Sequence, residues 1–238
     1  NPLKPFLTIQ AAINALPSSN AIVKVLGGTY SEVPTSGVVT ITAKSFFILE
    51  MSGCILNGRM VITASSSVFV NLKSGKILNT GNSRTLLISG GSNIQINGGE
   101  IENTSSSTNS YSLTNASNST FFNVRFNSQF RNTIDLSNCK FSDCKFDSLD
   151  VSLFRTNSSN FHSCEIESQN SIGLQTQNAP NIFEYCDIKG TAALTNEGNF
   201  QGYFYDSRIE GKTSAAMAIK GTSAELFFKD CDIIGFTD

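Results

Sequence analysis

The sequence of 238 residues has few charges and no marked excess of either sign. Charged residues make up 15% of the chain, and the net charge is −2. A protein that binds nucleic acid carries a basic stripe and a high isoelectric point, so we expect no nucleic-acid partner. No apolar run approaches the roughly 18 residues that a membrane-spanning helix requires, and no charged-then-apolar leader opens the chain. We therefore expect a soluble protein without membrane contact.

The chain also lacks the cysteine and histidine patterns of metal sites. It has six cysteines and one histidine, His162, and no CxxC pair or Cys/His pair has the spacing of zinc ligands. The sequence therefore predicts no metal site and no cofactor. Tryptophan is absent as well, which removes the largest aromatic side chain for packing against a sugar. Tyr185, Tyr203 and Tyr205 could take that role.

What the chain does have is a repeated phrase of the form Phe-x-x-Cys-x-Ile. Internal repeats of about 20–50 residues indicate a solenoid. The clearest copies begin at Phe141, Phe161, Phe183, Phe204 and Phe228. Looser copies precede them, and the position equivalent to the cysteine falls at residues 53, 75, 99, 124, 144, 164, 186, 207 and 231. Successive steps are therefore 22, 24, 25, 20, 20, 22, 21 and 24 residues.

Two solenoids have repeats of this length, the leucine-rich repeat and the parallel β-helix. The L-x-x-L-x-L-x-x-N phrase and the helical return of a leucine-rich repeat are missing. Each coil instead has a short stretch, such as Cys186 to Lys189, in which apolar and polar residues alternate, as in a strand with one buried face. Most coils have a second such stretch upstream, for example Ile134 to Leu136. The pattern predicts a parallel β-helix.

Equivalent residues in successive coils of a parallel β-helix stack about 4.8 Å apart. We therefore predict three inward columns, with Cys54 and Cys139 outside them; Leu72 and Ile55 would take the Phe and Ile positions in earlier coils. The columns are Phe121, Phe141, Phe161, Phe183, Phe204 and Phe228; Phe126, Phe146, Ile166, Ile188, Ile209 and Ile233; and Cys144, Cys164, Cys186, Ser207 and Cys231. Buried cysteine serves as a small apolar filler, and disulfides between adjacent coils are an alternative.

Asparagines mark the predicted corners of the coils. They precede the phenylalanines by one to three residues, where a tight corner favours a left-handed backbone. These asparagines are Asn118, Asn138, Asn160, Asn181 and Asn199.

The N-terminus has the pattern of a capping helix. Residues 8–16 place Ile9, Ala12, Ile13 and Leu16 on one helical face, with Thr8 as N-cap. A strand run at 22–26 and a Gly-Gly-Thr-Tyr-Ser-Glu phrase at 27–32 follow. This region resembles the opening of many proteins of the pectin-lyase-like β-helix superfamily. The resemblance implies the β-helix fold, shared there by enzymes and non-enzymes, and a non-catalytic or tailspike-like viral member.

The predicted fold is thus all-β: one single-stranded right-handed parallel β-helix of about nine coils with an N-terminal capping α-helix. We assign one domain to residues 1–238, with the cap in 1–20 and the coils in 21–238. The sequence ends directly after a complete coil, at Ile233 to Asp238, with no capping element. A solenoid needs a cap at each end. We therefore expect a longer natural chain, or a partner or second copy that covers the C-terminal end.

The catalytic motifs of the superfamily's enzymes do not occur. Methylesterase-like enzymes carry a G-x-x-D-F-I-F-G phrase, polygalacturonase-like enzymes carry N-T-D, D-D, G-H-G and R-I-K, and pectate lyases carry R-x-P-x-x-R. Only Arg208-Ile209-Glu210 partly matches one of these segments. These three classes of activity are therefore disfavoured.

The outward positions beside the cysteine column are the candidate site. Adjacent coils would bring their side chains within about 5–10 Å of each other. Carboxylates at that separation could perform acid/base chemistry on a glycosidic bond or hold Ca²⁺, but the mixed signs favour a solvated face with cross-coil ion pairs. The candidates for ligand binding are His162, Glu165, Glu184, Tyr185, Asp187, Tyr205, Asp206 and Arg208.

The leading functional hypothesis is a structural or attachment protein of a virus, phage or microbial surface. It would serve as a rigid scaffold, located on a virion or outside the cell, and could contact a polysaccharide. Its other partners would be further subunits at the open C-terminal end. The alternative is a polysaccharide lyase or glycoside hydrolase that uses the outward carboxylates.

Overall fold

The computed structural model describes residues 6–31, 37–150, 153–169, 172–176, 180–196, 199–217 and 223–235. They form one short helix, α1 (Ile9–Ala15), and 25 strands in a single sheet whose pairings are all parallel. The first strands are β1 (Ser19–Lys24), β2 (Gly28–Tyr30), β3 (Val38–Thr42), β4 (Ser45–Glu50), β5 (Cys54–Asn57), β6 (Arg59–Thr63), β7 (Ser66–Asn79), β8 (Leu86–Ser89) and β9 (Ser92–Asn103).

The middle and last coils contain the other strands. The middle set is β10 (Tyr111–Thr114), β11 (Ser119–Phe122), β12 (Arg125–Ser128), β13 (Arg131–Ser137), β14 (Lys140–Ser142), β15 (Lys145–Ser148), β16 (Leu153–Asn157), β17 (Asn160–His162) and β18 (Glu165–Ser168). The last set is β19 (Ile172–Thr176), β20 (Asn181–Glu184), β21 (Asp187–Asn196), β22 (Asn199–Tyr205), β23 (Arg208–Met217), β24 (Ser223–Lys229) and β25 (Asp232–Ile234).

The strands stack into three parallel ladders, and each coil adds one rung to each ladder. Ladder I contains β1, β4, the first half of β7, the first half of β9, β11, β14, β17, β20, β22 and β24. Ladder II contains β2, β5, the second halves of β7 and β9, β12, β15, β18, the first halves of β21 and β23, and β25. Ladder III contains β3, β6, β8, β10, β13, β16, β19 and the second halves of β21 and β23.

The parallel β-solenoid predicted from the repeats is therefore confirmed. Ladder III has nine rungs, so about eight full turns separate its first rung from its last. All its members pair with strands one coil away. A parallel solenoid requires this pairing, because the backbone N–H and C=O groups point along the axis and bond to the neighbouring coils.

The predicted phenylalanine column forms the core of the later coils. Neighbouring rings from Phe121 to Phe228 are stacked, with centroids 4.7 to 5.0 Å apart. The second column begins with Phe126 over Phe146, at 4.9 Å, and continues with the predicted isoleucines. Edge-to-face contacts join the two columns; Phe141 and Phe146 are 5.4 Å apart. The ring separation equals the coil spacing, so the stacks fix the register of ladders I and II.

The predicted cysteine column lies at the corner between ladders I and II. The six cysteines are free, and the thiols at 144, 164 and 186 each donate to two backbone carbonyl oxygens at the corner. Ser207 makes the same two bonds, to Phe183 and Tyr205. Burial raises the pKa of the Cys144 thiol well above its usual value, since a thiolate would lose its hydration there. These thiols therefore serve as buried hydrogen-bond donors to the backbone carbonyl groups of the corner.

Cys54 belongs to this column, which corrects the prediction that it lies outside. Leu56, two residues later, pairs with Ile77 and is buried, whereas Ile55 is exposed. The predicted register of this coil was therefore wrong by one residue, which exchanges inward and outward side chains.

Leu72 also lies outside its predicted column. Val70 pairs with Ile96 and takes the inward position of the phenylalanine column. The ladder between β7 and β9 shifts register between Asn71 and Lys73 and again between Lys73 and Lys76. The extra residues form a bulge and move Leu72 one step beyond the column.

Cys139 lies at a different corner, between ladders III and I. It is therefore outside the cysteine column, as predicted. Ser159 and Asn181 occupy the same place in the next two coils, and all three side chains are buried. The Ser159 hydroxyl accepts from the Cys139 backbone N–H at 3.2 Å, and the side-chain amide oxygen of Asn181 accepts from the Ser159 backbone N–H at 3.0 Å. Burial raises the pKa of the Cys139 thiol to about 11.

The predicted corner asparagines divide into two groups. Asn118 and Asn138 have the expected left-handed backbone, with φ of 48° and 52°. Asn160, Asn181 and Asn199 instead lie within strands β17, β20 and β22. A position shortly before a phenylalanine therefore locates a corner, but it does not show which residue of that corner has the left-handed backbone.

The N-terminal helix caps the first coil as predicted. Thr8 accepts from the Ala11 N–H at 3.1 Å, and Ile9 and Ile13 are buried against the core. The Gln10 side chain binds the edge of β3, where its amide oxygen accepts from the Thr40 N–H and its amide nitrogen donates to the Thr40 carbonyl oxygen. Helix α1 has seven residues and is too short to cross a bilayer, and the described part of the chain contains no helix that could.

We expect Gln10→Ala to destabilise the first coil, because two hydrogen bonds to the strand edge would be lost. The free energy of unfolding should fall by about 1–2 kcal/mol, measured by urea unfolding followed by circular dichroism. Gln129→Ala is the matched control, since its side chain is exposed. Equal losses in the two variants would contradict a capping role for Gln10.

Candidate functional site

The structure brings all eight predicted site residues to the corner between ladders I and II. Register pairs align them in three outward columns, which run parallel to the buried cysteine column. The last positions of ladder I are His162, Glu184 and Tyr205; the corner positions are Tyr185 and Asp206; the first positions of ladder II are Glu165, Asp187 and Arg208.

The corner residues have a left-handed backbone. Tyr185 and Asp206 have φ of 56° and 47°. The N–H of each donates to the next coil, Tyr185 to the Tyr205 carbonyl and Asp206 to the Lys229 carbonyl. Asp and Asn tolerate this conformation better than most residues, whereas a tyrosine there is unusual. The polar character of this column is therefore partly a requirement of the corner.

Three of the five charged candidates are tied into ion pairs. Glu165 binds Lys145 of the preceding coil at 3.0 Å, Asp187 binds Lys189 at 2.5 Å, and Arg208 binds Glu210 at 3.0 Å. The hydrogen bond to Asp187 raises the pKa of Lys189. The carboxylates of Glu165 and Asp187 are thus each occupied by a lysine of the preceding or the same coil.

The uncharged candidates form a small aromatic cluster. The rings of His162 and Tyr185 meet edge to face, with centroids 5.5 Å apart, and His162 Nδ1 lies 3.2 Å from the Ser163 hydroxyl. Glu184 pairs in register between His162 and Tyr205 and forms no ion pair with any described residue. This corner could bind a polar ligand by ring contact and a single carboxylate.

The ion pairs continue toward the N-terminus and enclose a cleft that the sequence did not reveal. Its volume is about 480 Å³, and it lies over the small residues Gly75 and Gly99 of the cysteine corner. The charged side chains that line it are Lys73, Lys76, Glu100, Arg125, Asp143 and Lys145. The register shifts of β7 create it, and the only sequence signal is the loose Lys-Ser-Gly-Lys copy of the repeat at 73–76.

Three carboxylates around this cleft are also paired with cations. Lys76 binds Glu100 at 3.1 Å and also contacts Glu102, and Arg125 binds Asp147 at 3.0 Å. Half-burial raises the pKa of Asp147, and the nearby cations oppose that change. The cleft thus combines compensated charges with Lys73 and Asp143, which form no ion pair with any described residue.

A second groove of about 420 Å³ lies on the outer face of ladder I. Two exposed rings, Phe69 and Phe122, lie on its rim, and the side chains of Asn71, Gln95 and Asn97 line it between them. Glu50 also lines this groove and accepts a hydrogen bond from the Asn71 amide, so the lining combines apolar rings with polar groups, as in sites for polar ligands.

The sequence matched no protein-family model, and it matched no curated protein. Among the described residues, no group of three or more His, Cys, Asp and Glu side chains is arranged to hold a metal ion.

Proposed function

We propose that the chain is a structural or attachment protein that serves as a rigid scaffold and contacts glycans through its outer faces. The observation that carries the proposal is the pairing of the outward carboxylates with cations of the same or adjacent coils. Three of the four pairs connect neighbouring coils, and each of the four places a cation against a carboxylate that a general acid or base would have to present to a substrate.

Glycan contact is supported by the grooves on the outside of the ladders. The Phe69–Phe122 groove offers apolar rings and amides, and the His162–Tyr185 contact offers rings beside Glu184. Both lie on strands that are paired in register with the neighbouring coils, so a bound polymer would meet a preorganised surface.

Membership of the pectin-lyase-like superfamily, as a non-catalytic or tailspike-like viral member, and a location on a virion or cell surface belong to the same proposal. The helix and strand of residues 9–15 and 19–24 support it, because they adopt the arrangement that the N-terminal motif implies.

The proposal extends to partner subunits at the C-terminal coil. Ile233 and Ile234 are 47% and 41% exposed, and β25 pairs with β23 on one side only among the described strands. Exposed strand edges with apolar side chains favour association. Light scattering of the full-length protein should give a mass above that of a monomer, and a strictly monomeric protein would overturn this part.

The experiment that tests the function is incubation with a panel of acidic and neutral polysaccharides. We expect binding without release of reducing ends or unsaturated products. The alternative function, a polysaccharide lyase or glycoside hydrolase, predicts turnover that Glu184→Ala or Asp187→Ala abolishes. Turnover of that kind would sink the scaffold proposal.

A further inference from the structure

Two of the chain's arginines stand apart from the other four. Four arginines bind carboxylates: Arg125 with Asp147, Arg131 with Asp150, Arg155 with Asp135, and Arg208 with Glu210. Arg59 and Arg84 have no carboxylate within ion-pair distance among the residues that the structure describes. Both line the same cleft, which is remote in sequence from the predicted site.

This Arg59–Arg84 cleft has a volume of about 290 Å³ and contains no described acidic side chain in its lining. It is lined by Arg59, Asn82, Ser83, Arg84, Asn109 and Tyr111. Two permanent positive charges therefore face one space together with amides and hydroxyls, all of which can donate hydrogen bonds.

The wall that carries Arg84 is held in place by buried amides. The side chains of Asn79 and Asn103 are buried, and both donate to the Ser83 carbonyl oxygen, at 2.9 and 2.5 Å. The Gly81 N–H donates to the side-chain amide oxygen of Asn79 at 3.0 Å. A loop fixed in this way presents Arg84 without a large ordering cost on binding.

Arg59 is oriented by the same loop. Its Nε donates to the Arg84 carbonyl oxygen at 3.1 Å, while its backbone N–H donates to Gly37. The two terminal NH₂ groups of Arg59 therefore have no acceptor among the described residues. A guanidinium held by Nε offers these groups to a ligand in a fixed direction.

The nearest other charges do not neutralise the cleft. Tyr111, at its inner wall, hydrogen-bonds to the Arg131 guanidinium, and Arg131 is already paired with Asp150. In the larger cleft at Lys76 and Arg125, by contrast, an anion would compete with carboxylates that are already bound. The Arg59–Arg84 cleft requires no such exchange.

We propose that the Arg59–Arg84 cleft is a binding site for an oxyanionic group, a sulfate ester or a carboxylate, carried by an acidic polysaccharide. The oxyanion chemistry follows from the two guanidinium groups and the neutral donors around them. The polysaccharide as its source rests on the proposed glycan contact. Free inorganic sulfate has the same chemistry and serves as a separate probe.

The test compares dextran sulfate, polygalacturonate and unmodified dextran, by calorimetry near physiological salt. Arg59→Gln and Arg84→Gln should each weaken binding of an acidic polymer about tenfold or more, since charge-assisted bonds are lost. Arg155→Gln is the control, because it removes the same charge from ladder III outside the cleft, and it should change binding less than about threefold. Circular dichroism should show that all three variants remain folded.

Equal weakening in all three variants, or no weakening in any, would overturn the proposal, because the charges of this cleft would then have no specific role. Binding of dextran but not of the acidic polymers would overturn it and leave the glycan function intact. Sodium sulfate gives an independent reading through the NMR signals of the arginine Nε–H groups. A sulfate-dependent shift that Arg84→Gln abolishes, with no polysaccharide bound, would support the oxyanion site and overturn the glycan function.

Discussion

Phe121→Ala should lower the free energy of unfolding by about 3–5 kcal/mol, the usual cost of truncating a fully buried phenylalanine. Phe121 is completely buried; its ring stacks on Phe141 at 4.7 Å and meets Phe126 edge to face at 5.6 Å. The cavity cannot close by movement of one strand, because hydrogen bonds to the coils above and below fix the backbone of β11. Urea unfolding followed by circular dichroism measures the loss.

The neighbouring residue gives a matched control for this prediction. Phe122 is in the same strand, points outward and is 49% exposed. Phe122→Ala should cost about 1 kcal/mol, because only part of its apolar surface is buried. A loss for Phe122→Ala as large as that for Phe121→Ala would mean that the stack is not the main source of stability in these coils.

The later coils could be predicted from the sequence because their inward residues are distinctive. Phe, Cys and Ile recur there at nearly constant spacing. Equivalent residues of stacked coils point in the same direction, so the inward position of one copy fixes that of the others. The register pairs Phe141 with Phe161 and Phe146 with Ile166, as the repeats predicted. A large apolar side chain in each coil identifies the register without further information.

The earlier coils could not be aligned to the residue, for two physical reasons. Their inward positions carry Val, Ile, Leu and Gly, which also occur at outward positions; Ile55 is exposed although it is apolar. In addition, the bulge in β7 inserts residues that no repeat announces. The predicted register of the second coil was wrong by one residue, so both Ile55 and Cys54 were assigned to the wrong face.

The candidate site was predictable as a place but not as a chemical environment. Strand alternation placed Glu165, Asp187 and Arg208 on one outward column. Their ion pairs depend on side-chain conformations and on partners in other columns, which the repeat does not specify. The Arg59–Arg84 cleft depends on a loop fixed by two buried asparagines, and loops of unequal length differ from coil to coil.

Gly75→Cys should destabilise the protein by about 3 kcal/mol, although cysteine occupies the same column in five other coils. A Cβ at Gly75 would lie 2.3 Å from the Met51 carbonyl oxygen and 2.9 Å from that of Leu72. Both atoms belong to backbone that is hydrogen-bonded, so they cannot move aside at low cost. The bulge of β7 has brought the chain inward here, and it leaves no room for a side chain.

Ser207→Cys is the control that separates this steric effect from the effect of adding a thiol. Ser207 occupies the same column and already makes the two carbonyl contacts that a thiol makes in the neighbouring coils. It should cost no more than about 1.5 kcal/mol, from a weaker bond to the Cys186 N–H and a slightly larger atom. Urea unfolding of both variants in the presence of a reductant measures the difference. Similar losses in the two variants would contradict the steric explanation. A much larger loss for Gly75→Cys would show that the backbone around Gly75 excludes a side chain that the Ser207 corner accepts.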